Sequence, residues 1–204
     1  MITALRLRSV GVRRGERLLF DGLDLDLGGG DAVALVGPNG SGKTSLLRVV
    51  AGFIAPLCGA VTFEDGKGPV EPAEARRADC HMVGHQDGLK AGRTAREELR
   101  FWSLWTGSDG RGVAAAAERL GVERILDLEV RQLSAGQRRR VALARLIAAP
   151  RSLWLLDEAL APLDAACRAL FGEIMTGHLQ AGGLILAAAH DPLPTPARRL
   201  ELGA

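Results

Sequence analysis

Tyrosine is absent from the chain, and lysine and cysteine each occur only three times. The cysteines, Cys58, Cys80 and Cys167, are odd in number, far apart and without a C-x-x-C pair. That spacing argues against a disulfide framework or a zinc site and points to a reducing compartment. No apolar run approaches the ~18–20 residues needed to cross a bilayer. The longest candidates, Leu153–Leu156 and Leu184–Ala189, have the length of buried strands. No signal peptide is visible, because Met1–Leu7 already alternates like a strand. A soluble chain that can dock on a membrane partner is therefore expected. A net charge of +2 is too small an excess for a dedicated nucleic-acid binder. Internal repeats and low-complexity tracts are lacking as well.

What is present suits one compact domain. A chain of 204 residues with 47% hydrophobic residues can bury a real core, as a single domain or one domain with a modest inserted lobe. The lysines are Lys43, Lys67 and Lys90, against a background of arginine and alanine that reads as coding bias. One of them falls in Gly37-Pro38-Asn39-Gly40-Ser41-Gly42-Lys43-Thr44, which fits the pattern G-x-x-x-x-G-K-[ST] at every fixed position. Ala32–Val36 before it reads as a buried strand, and Ser45–Ala51 after it as a helix stopped by Gly52. Glycines here let backbone N–H groups turn toward phosphate oxygens, and the helix N-terminus adds a favourable dipole. Lys43 is expected to reach the β- and γ-phosphates and the Thr44 hydroxyl to hold Mg²⁺.

Taken in order, the spacing of Leu5, Leu7 and Val10 predicts a strand, followed by a charged turn at Arg13–Glu16. Leu18–Phe20 predicts a second strand, and Leu23–Leu27 a strictly alternating one of antiparallel character. Gly28–Asp31 forms a turn, Val61–Phe63 a short strand, and Glu64–Pro72 a polar turn. Cys80–His85 reads as a core strand ending at Gln86. The stretch 87–132 then changes texture. Thr94–Trp105 is amphipathic, Val113–Leu120 is alanine-rich and Arg124–Leu128 suits a short helix. We expect a small all-helical lobe at 87–132, inserted into a catalytic core formed by 1–86 and 133–204. After Leu133 a helix runs to Ala149, followed by a strand at Leu153–Leu156. A helix at Asp164–Thr176 and a last core strand at Leu184–Ala189 complete the core, with a short proline-marked tail beyond.

Asp157 and Glu158 close an apolar run at the carboxyl end of a strand, the edge where doubly wound sheets bind ligands. An Asp there can hold Mg²⁺, and an adjacent Glu can accept a proton from an attacking water. Ser134-Ala135-Gly136 opens a helix, so Ser134 is either a plain N-cap or part of a second anion site. Gln86 and His190 each follow a core strand and can place a polar group beside the γ-phosphate. Arg138-Arg139-Arg140 reads as a solvated or phosphate-facing side of its helix.

These stretches, in this order and across essentially the whole chain, resemble the nucleotide-binding domain of ABC transporters. Gly37–Thr44 resembles the Walker A motif, Gln86 the Q-loop, and Leu133–Gln137 the LSGGQ signature with Ala135 for its first glycine. Leu153–Glu158 resembles Walker B plus the catalytic glutamate, Ala161–Asp164 the D-loop, and His190 the switch histidine. The resemblance implies a P-loop NTPase fold of the α/β class, with a mixed sheet, an N-terminal antiparallel β layer and the inserted helical lobe. It implies a head-to-tail dimer with two ATPs sandwiched between P-loops and the partner's Ser134, Gly136 and Gln137, Asp164 lying nearby. Glu158 would polarise water, His190 would stabilise the γ-phosphate, and Gln86 would touch Mg²⁺ while linking core to lobe. Two departures stand out. Ala159 occupies a position usually held by Pro, and Arg14 falls near the usual aromatic adenine-stacking position. An Arg plane can stack on a base.

Within the family, Val83–Lys90 (VGHQDGLK), Glu98–Phe101 and Leu133–Leu146 are similar to the branch serving cytochrome c maturation. That resemblance implies an ATPase working with integral membrane subunits at the cytoplasmic face of the bacterial inner membrane. Its hydrolysis would be linked to haem export or to release of a haem-loaded chaperone. No haem site is expected in the chain itself: C-x-x-C-H is missing, and His81 and His85 read as strand-end residues. The motifs leave open another small ABC exporter of drugs, peptides or lipids. A soluble cassette acting on nucleic acid usually has two ATPase units or long coiled-coil insertions, and a non-hydrolysing cassette would not need Glu158 and His190.

Overall fold

The structure is a computed structural model that describes residues 1–203. The chain begins with two long strands, β1 (Ile2–Arg14) and β2 (Arg17–Gly28), joined by the tight turn at Gly15-Glu16. The two short strands expected at Leu18–Phe20 and Leu23–Leu27 are one strand. Gly22, at φ 66°, lets β2 bend without breaking, and the Asp21 carboxylate accepts its N–H at 2.8 Å. A buried strand, β3 (Ala32–Val36), leads through the glycine loop into α1 (Lys43–Val50).

The expected polar turn at Glu64–Pro72 is mostly ordered structure. Strand β4 (Cys58–Asp65) turns at Gly66-Lys67 into β5 (Gly68–Val70), and Pro72 opens α2 (Pro72–Asp79). Asp65 accepts the N–H groups of Lys67 and Gly68, which tightens that hairpin. Pro suits the first helical position, because its missing N–H has no partner there. Next come β6 (Cys80–Val83), α3 (Ala95–Trp105) and α4 (Gly112–Arg119). The short helix expected at Arg124–Leu128 is a single 3₁₀ turn, Glu123–Ile125. The chain closes with α5 (Ala135–Ala148), β7 (Leu153–Asp157), α6 (Ala165–Gln180), β8 (Leu184–Ala188) and β9 (Arg198–Glu201). Strand β8 is therefore not the last. The tail supplies β9, which pairs parallel with β3 as a polar edge strand.

Parallel and antiparallel pairs segregate into two sheets. The antiparallel one runs β2-β1-β4-β5 and the parallel one β6-β7-β8-β3-β9. Inner strands of the parallel sheet are buried on both faces, so successive residues point into different cores. Leu153 and Leu155 of β7, with Leu184 and Leu186 of β8, join β1, β4 and α1 on one side. Trp154, Leu156, Ile185 and Ala187 face the other side, where Leu99, Ala116, Val141, Leu143 and Phe171 extend one apolar cluster through the helices. This stacking places β3 and β7 on either side of β8, with their carboxyl ends on a common edge. Among the described residues no helix is long and apolar enough to cross a membrane.

His81 lies inside β6 rather than at a strand end, and it is buried. Its Nε2–H donates to the Ala149 carbonyl at 2.6 Å, and burial lowers the ring's pKa to about 4. An unfolded chain takes up this proton near pH 6.5, whereas the folded chain resists it until about pH 4. Protons therefore favour the unfolded state within that window, and stability should fall as pH drops through it. Between pH 7.5 and 5 the loss from this one group should be about 2 kcal/mol. Urea midpoints at the two pH values check it: the pH-dependent shift should shrink in His81→Gln, and an equal shift in both proteins would refute the assignment.

Candidate nucleotide-binding site

The loop between β3 and α1 curls because glycine occupies the positions where a side chain would collide. Gly37 has φ 137°, and a Cβ there would run into the Leu202 carbonyl just after β9. Gly42 has φ 106°, and a Cβ there would lie 2.7 Å from the Phe20 ring of β2. The loop is thus wedged between the two sheets. Inside the curl Lys43 is almost fully buried, and its ammonium donates to the carbonyls of Gly37 (2.7 Å) and Pro38 (3.0 Å). Those bonds fix the loop's curvature and keep a cation at its mouth. Ser41 is buried, and its N–H donates to Pro38.

From the carboxyl end of β7, across β8, Asp157 meets the loop directly. The Thr44 hydroxyl donates to the Asp157 carboxylate at 2.9 Å, joining positions 113 residues apart in sequence. Glu158 follows with φ 52°, a left-handed conformation that costs a non-glycine residue about 1–3 kcal/mol. Its N–H donates to Ala188 at 3.0 Å, and its own carbonyl accepts from Ala161 and from Arg139. This bend swings the carboxylate off the strand. His190, just beyond β8, donates Nε2–H to Glu158 Oε1 at 3.0 Å, and His85 Nδ1 stands 3.8 Å from Oε2.

A cleft of about 220 Å³ collects Arg14, Asn39, Gly40, Gly42, Lys43, Thr44 and Glu158. Gln86 is exposed and lines an adjoining cleft of about 620 Å³ together with Asp157, Gly84 and His85. The remaining expected residues stay apart within one chain. Ser134 and Gln137 form a capping box on α5: the Ser134 hydroxyl accepts from the Gln137 N–H at 3.2 Å, and the Gln137 side chain accepts from the Ser134 N–H at 2.8 Å. Gly136 sits in the first turn of that helix. Asp164 caps α6 through the Cys167 N–H at 2.8 Å. None of these four lines the cleft around Lys43.

Three features escaped the sequence reading. Arg17 and Leu19 line the cleft because Arg17 pairs with Arg14 across the β1–β2 turn. His85 stands by Glu158 rather than merely ending a strand. Arg139 does not lie on a solvated face: it is buried and bonded to Gly84, Asp87 and Glu158. The apolar residues at 142, 143 and 146 mark its side of α5 as inward, a signal present in the helical period.

The family model "ABC transporter" matches residues 20–161. A cytochrome c biogenesis ATP-binding export protein of Rhodopseudomonas palustris is 45% identical over 94% of both chains. One from Nitrobacter winogradskyi is 45% identical over 98% of both. Among solved structures, an ABC transporter ATP-binding protein of Pyrococcus furiosus superposes with a TM-score of 0.82 at 19% identity, covering 98% of each chain. A dimeric cassette in a post-hydrolysis state bound to ADP and Pi gives 0.80 at 21% identity, covering 98% of this chain and 97% of that one.

Proposed function

We propose, from the premise that this chain belongs to the ABC transporter family and to its cytochrome c biogenesis ATP-binding export branch, that it is the ATP-hydrolysing subunit of a membrane complex for cytochrome c maturation. ATP binding and hydrolysis follow from the family. The observation that carries hydrolysis beyond binding is Glu158, which lines the same cleft as Lys43 and is held by His190 at 3.0 Å. Lys43 and the loop N–H groups bind the phosphates. The Glu158 carboxylate accepts the proton of the attacking water, and His190 orients that carboxylate and meets the γ-phosphate.

Thr44 and Asp157 offer two hard oxygens 2.9 Å apart at the loop's mouth, a donor set that fits Mg²⁺, with Gln86 on the open side. When bound, the ion offsets the charge of the phosphates. Arg14 and Arg17 provide guanidinium planes for the base. Ser134, Gly136, Gln137 and Asp164 lie away from this cleft, which supports a homodimer in which each chain closes the other's site. The dimeric cassette with ADP and Pi supports a homodimer.

Residues 87–132 form the helical subdomain in this reading, with Gln86 at its junction. Phe53, Ile54 and Trp105 are exposed apolar residues, and Phe53 and Ile54 share the Gln86 cleft. That surface suits integral membrane subunits, which would hold the chain at the cytoplasmic face of the inner membrane. Hydrolysis is coupled there to haem export or to release of a haem-loaded chaperone. Deleting the gene in its host and complementing with wild type or with Glu158→Gln tests this. Covalent haem in c-type cytochromes, read by haem staining, should vanish on deletion and return only with wild type. Normal staining after deletion would assign the ATPase to another exporter.

A further inference from the structure

Helix α5 does more than carry Ser134 at its first turn. Five residues further along, at a rise of about 7.5 Å, stands Arg139, whose side chain is 1% exposed. Its guanidinium reaches two separate parts of the site. One arm, Nη1, donates to the Gly84 carbonyl at 2.9 Å and to the Asp87 carboxylate at 2.9 Å. Nη2, the other arm, donates to the Glu158 carbonyl at 3.2 Å. Gly84 and Asp87 bracket Gln86. Arg145, also on α5, adds a bond from Nη2 to the Asp87 backbone carbonyl at 3.0 Å. The segment bearing Gln86 is therefore suspended from α5 at three points, and the left-handed residue Glu158 hangs from the same guanidinium.

Burial of a guanidinium is costly unless its hydrogen bonds are made, and desolvation here lowers the pKa of Arg139 against the pull of Asp87. A hydrophobic side chain would fill the same space without that cost. The fork supplies what an apolar residue cannot, a fixed relation among three backbone segments that must act together. We propose that Arg139 is a positioning residue for hydrolysis, tying the Ser134 end of α5 to Gln86 and to the main chain of Glu158. The proposal rests on the dimer reading above, in which Ser134 covers the partner's nucleotide. Movement of α5 on closure then reaches the chain's own Glu158 through one rigid side chain. Arg139 does not touch the substrate; it acts through Gln86 and Glu158.

The test uses the full chain with Arg139→Gln, which keeps one amide donor but loses the fork. Misplacing a catalytic group by about 1 Å can cost on the order of a hundredfold, so kcat should fall at least about tenfold while KM for ATP stays within about twofold. ATP-dependent dimers should still form when Arg139→Gln is combined with Glu158→Gln. Arg139→Lys keeps a cation for Asp87 but not the planar fork. It should recover melting temperature toward wild type while kcat stays low. Recovery of kcat in step with melting temperature would reduce the residue to a structural ion pair and overturn the proposal. So would an Arg139→Gln enzyme with kcat within about twofold of wild type. If Arg139→Gln does not fold, Asp87→Asn decides. It retains an acceptor but removes the charge, and severalfold lower kcat at unchanged KM is expected; unchanged kcat overturns the proposal. Failure of Glu158→Gln alone to dimerise with ATP would instead remove the dimer reading.

Discussion

Glu158→Gln should bind ATP with near-normal affinity and hydrolyse it at a rate lower by roughly a thousandfold, within the range a positioned general base contributes. The substitution is close to isosteric. It keeps an oxygen to accept from His190, now 3.0 Å away, and leaves the main-chain bonds to Ala188 and Arg139 unaltered. What it removes is the negative charge proposed to take a proton from water. Lys43, Thr44 and Asp157 are untouched, so the proposed grip on the phosphates should persist. The chain should therefore accumulate as an ATP-bound dimer, visible by size-exclusion chromatography. Single-turnover assays measure the chemical step directly; a rate within tenfold of wild type would take the base role away from Glu158.

The second large effect separates capping from catalysis at Ser134. Aspartate is as good an N-cap as serine, so Ser134→Asp should keep the box with Gln137 and leave the melting temperature unchanged. It also sets a carboxylate where the partner's γ-phosphate would lie. Two unit charges about 4 Å apart interact by roughly 4 kcal/mol at an effective dielectric of 20, enough for a hundredfold or greater loss of turnover. The stronger form of the experiment mixes two inactive proteins, Lys43→Ala and Ser134→Asp. If each site is built from both chains, a mixed dimer gathers both lesions into one site and leaves the other intact. Random mixing should then restore roughly a quarter of wild-type activity, since half the dimers are mixed and each has one good site. If Ser134 served its own chain's nucleotide, every site would carry one lesion and the mixture would stay inactive.

Legibility in the sequence tracked how locally each feature is determined. Gly37–Thr44 is readable because loop curvature, lysine reach and helix start all depend on residues within eight positions. Asp157 and Glu158 are readable because they end a continuous apolar strand; in the structure Asp157 bonds Thr44 and Glu158 lines the cleft beside the loop. Strand β9 was not readable: three of its four residues are exposed and polar, and only its pairing with β3 makes it a strand. The β4–β5 hairpin and α2 were hidden in a polar stretch, where Asp65 acts by accepting backbone N–H bonds and Pro72 by its missing N–H rather than through apolar spacing. In Arg138-Arg139-Arg140, composition suggests one solvated face, yet the middle residue alone is fully buried. Its neighbours on the same helical row, Ala142, Leu143 and Leu146, are all buried, and that row marked the direction that composition concealed.

The left-handed backbone of Glu158 has one more consequence. Glycine adopts that geometry freely and asparagine does so more readily than glutamate. A search among random variants for heat resistance alone would tend to enrich substitutions here that relax the backbone, and each of them would discard the base. Of the two non-glycine residues with left-handed backbone among the described residues, Ser9 and Glu158, only Glu158 is also the proposed base. Selection for durability and selection for turnover therefore pull this one position in opposite directions.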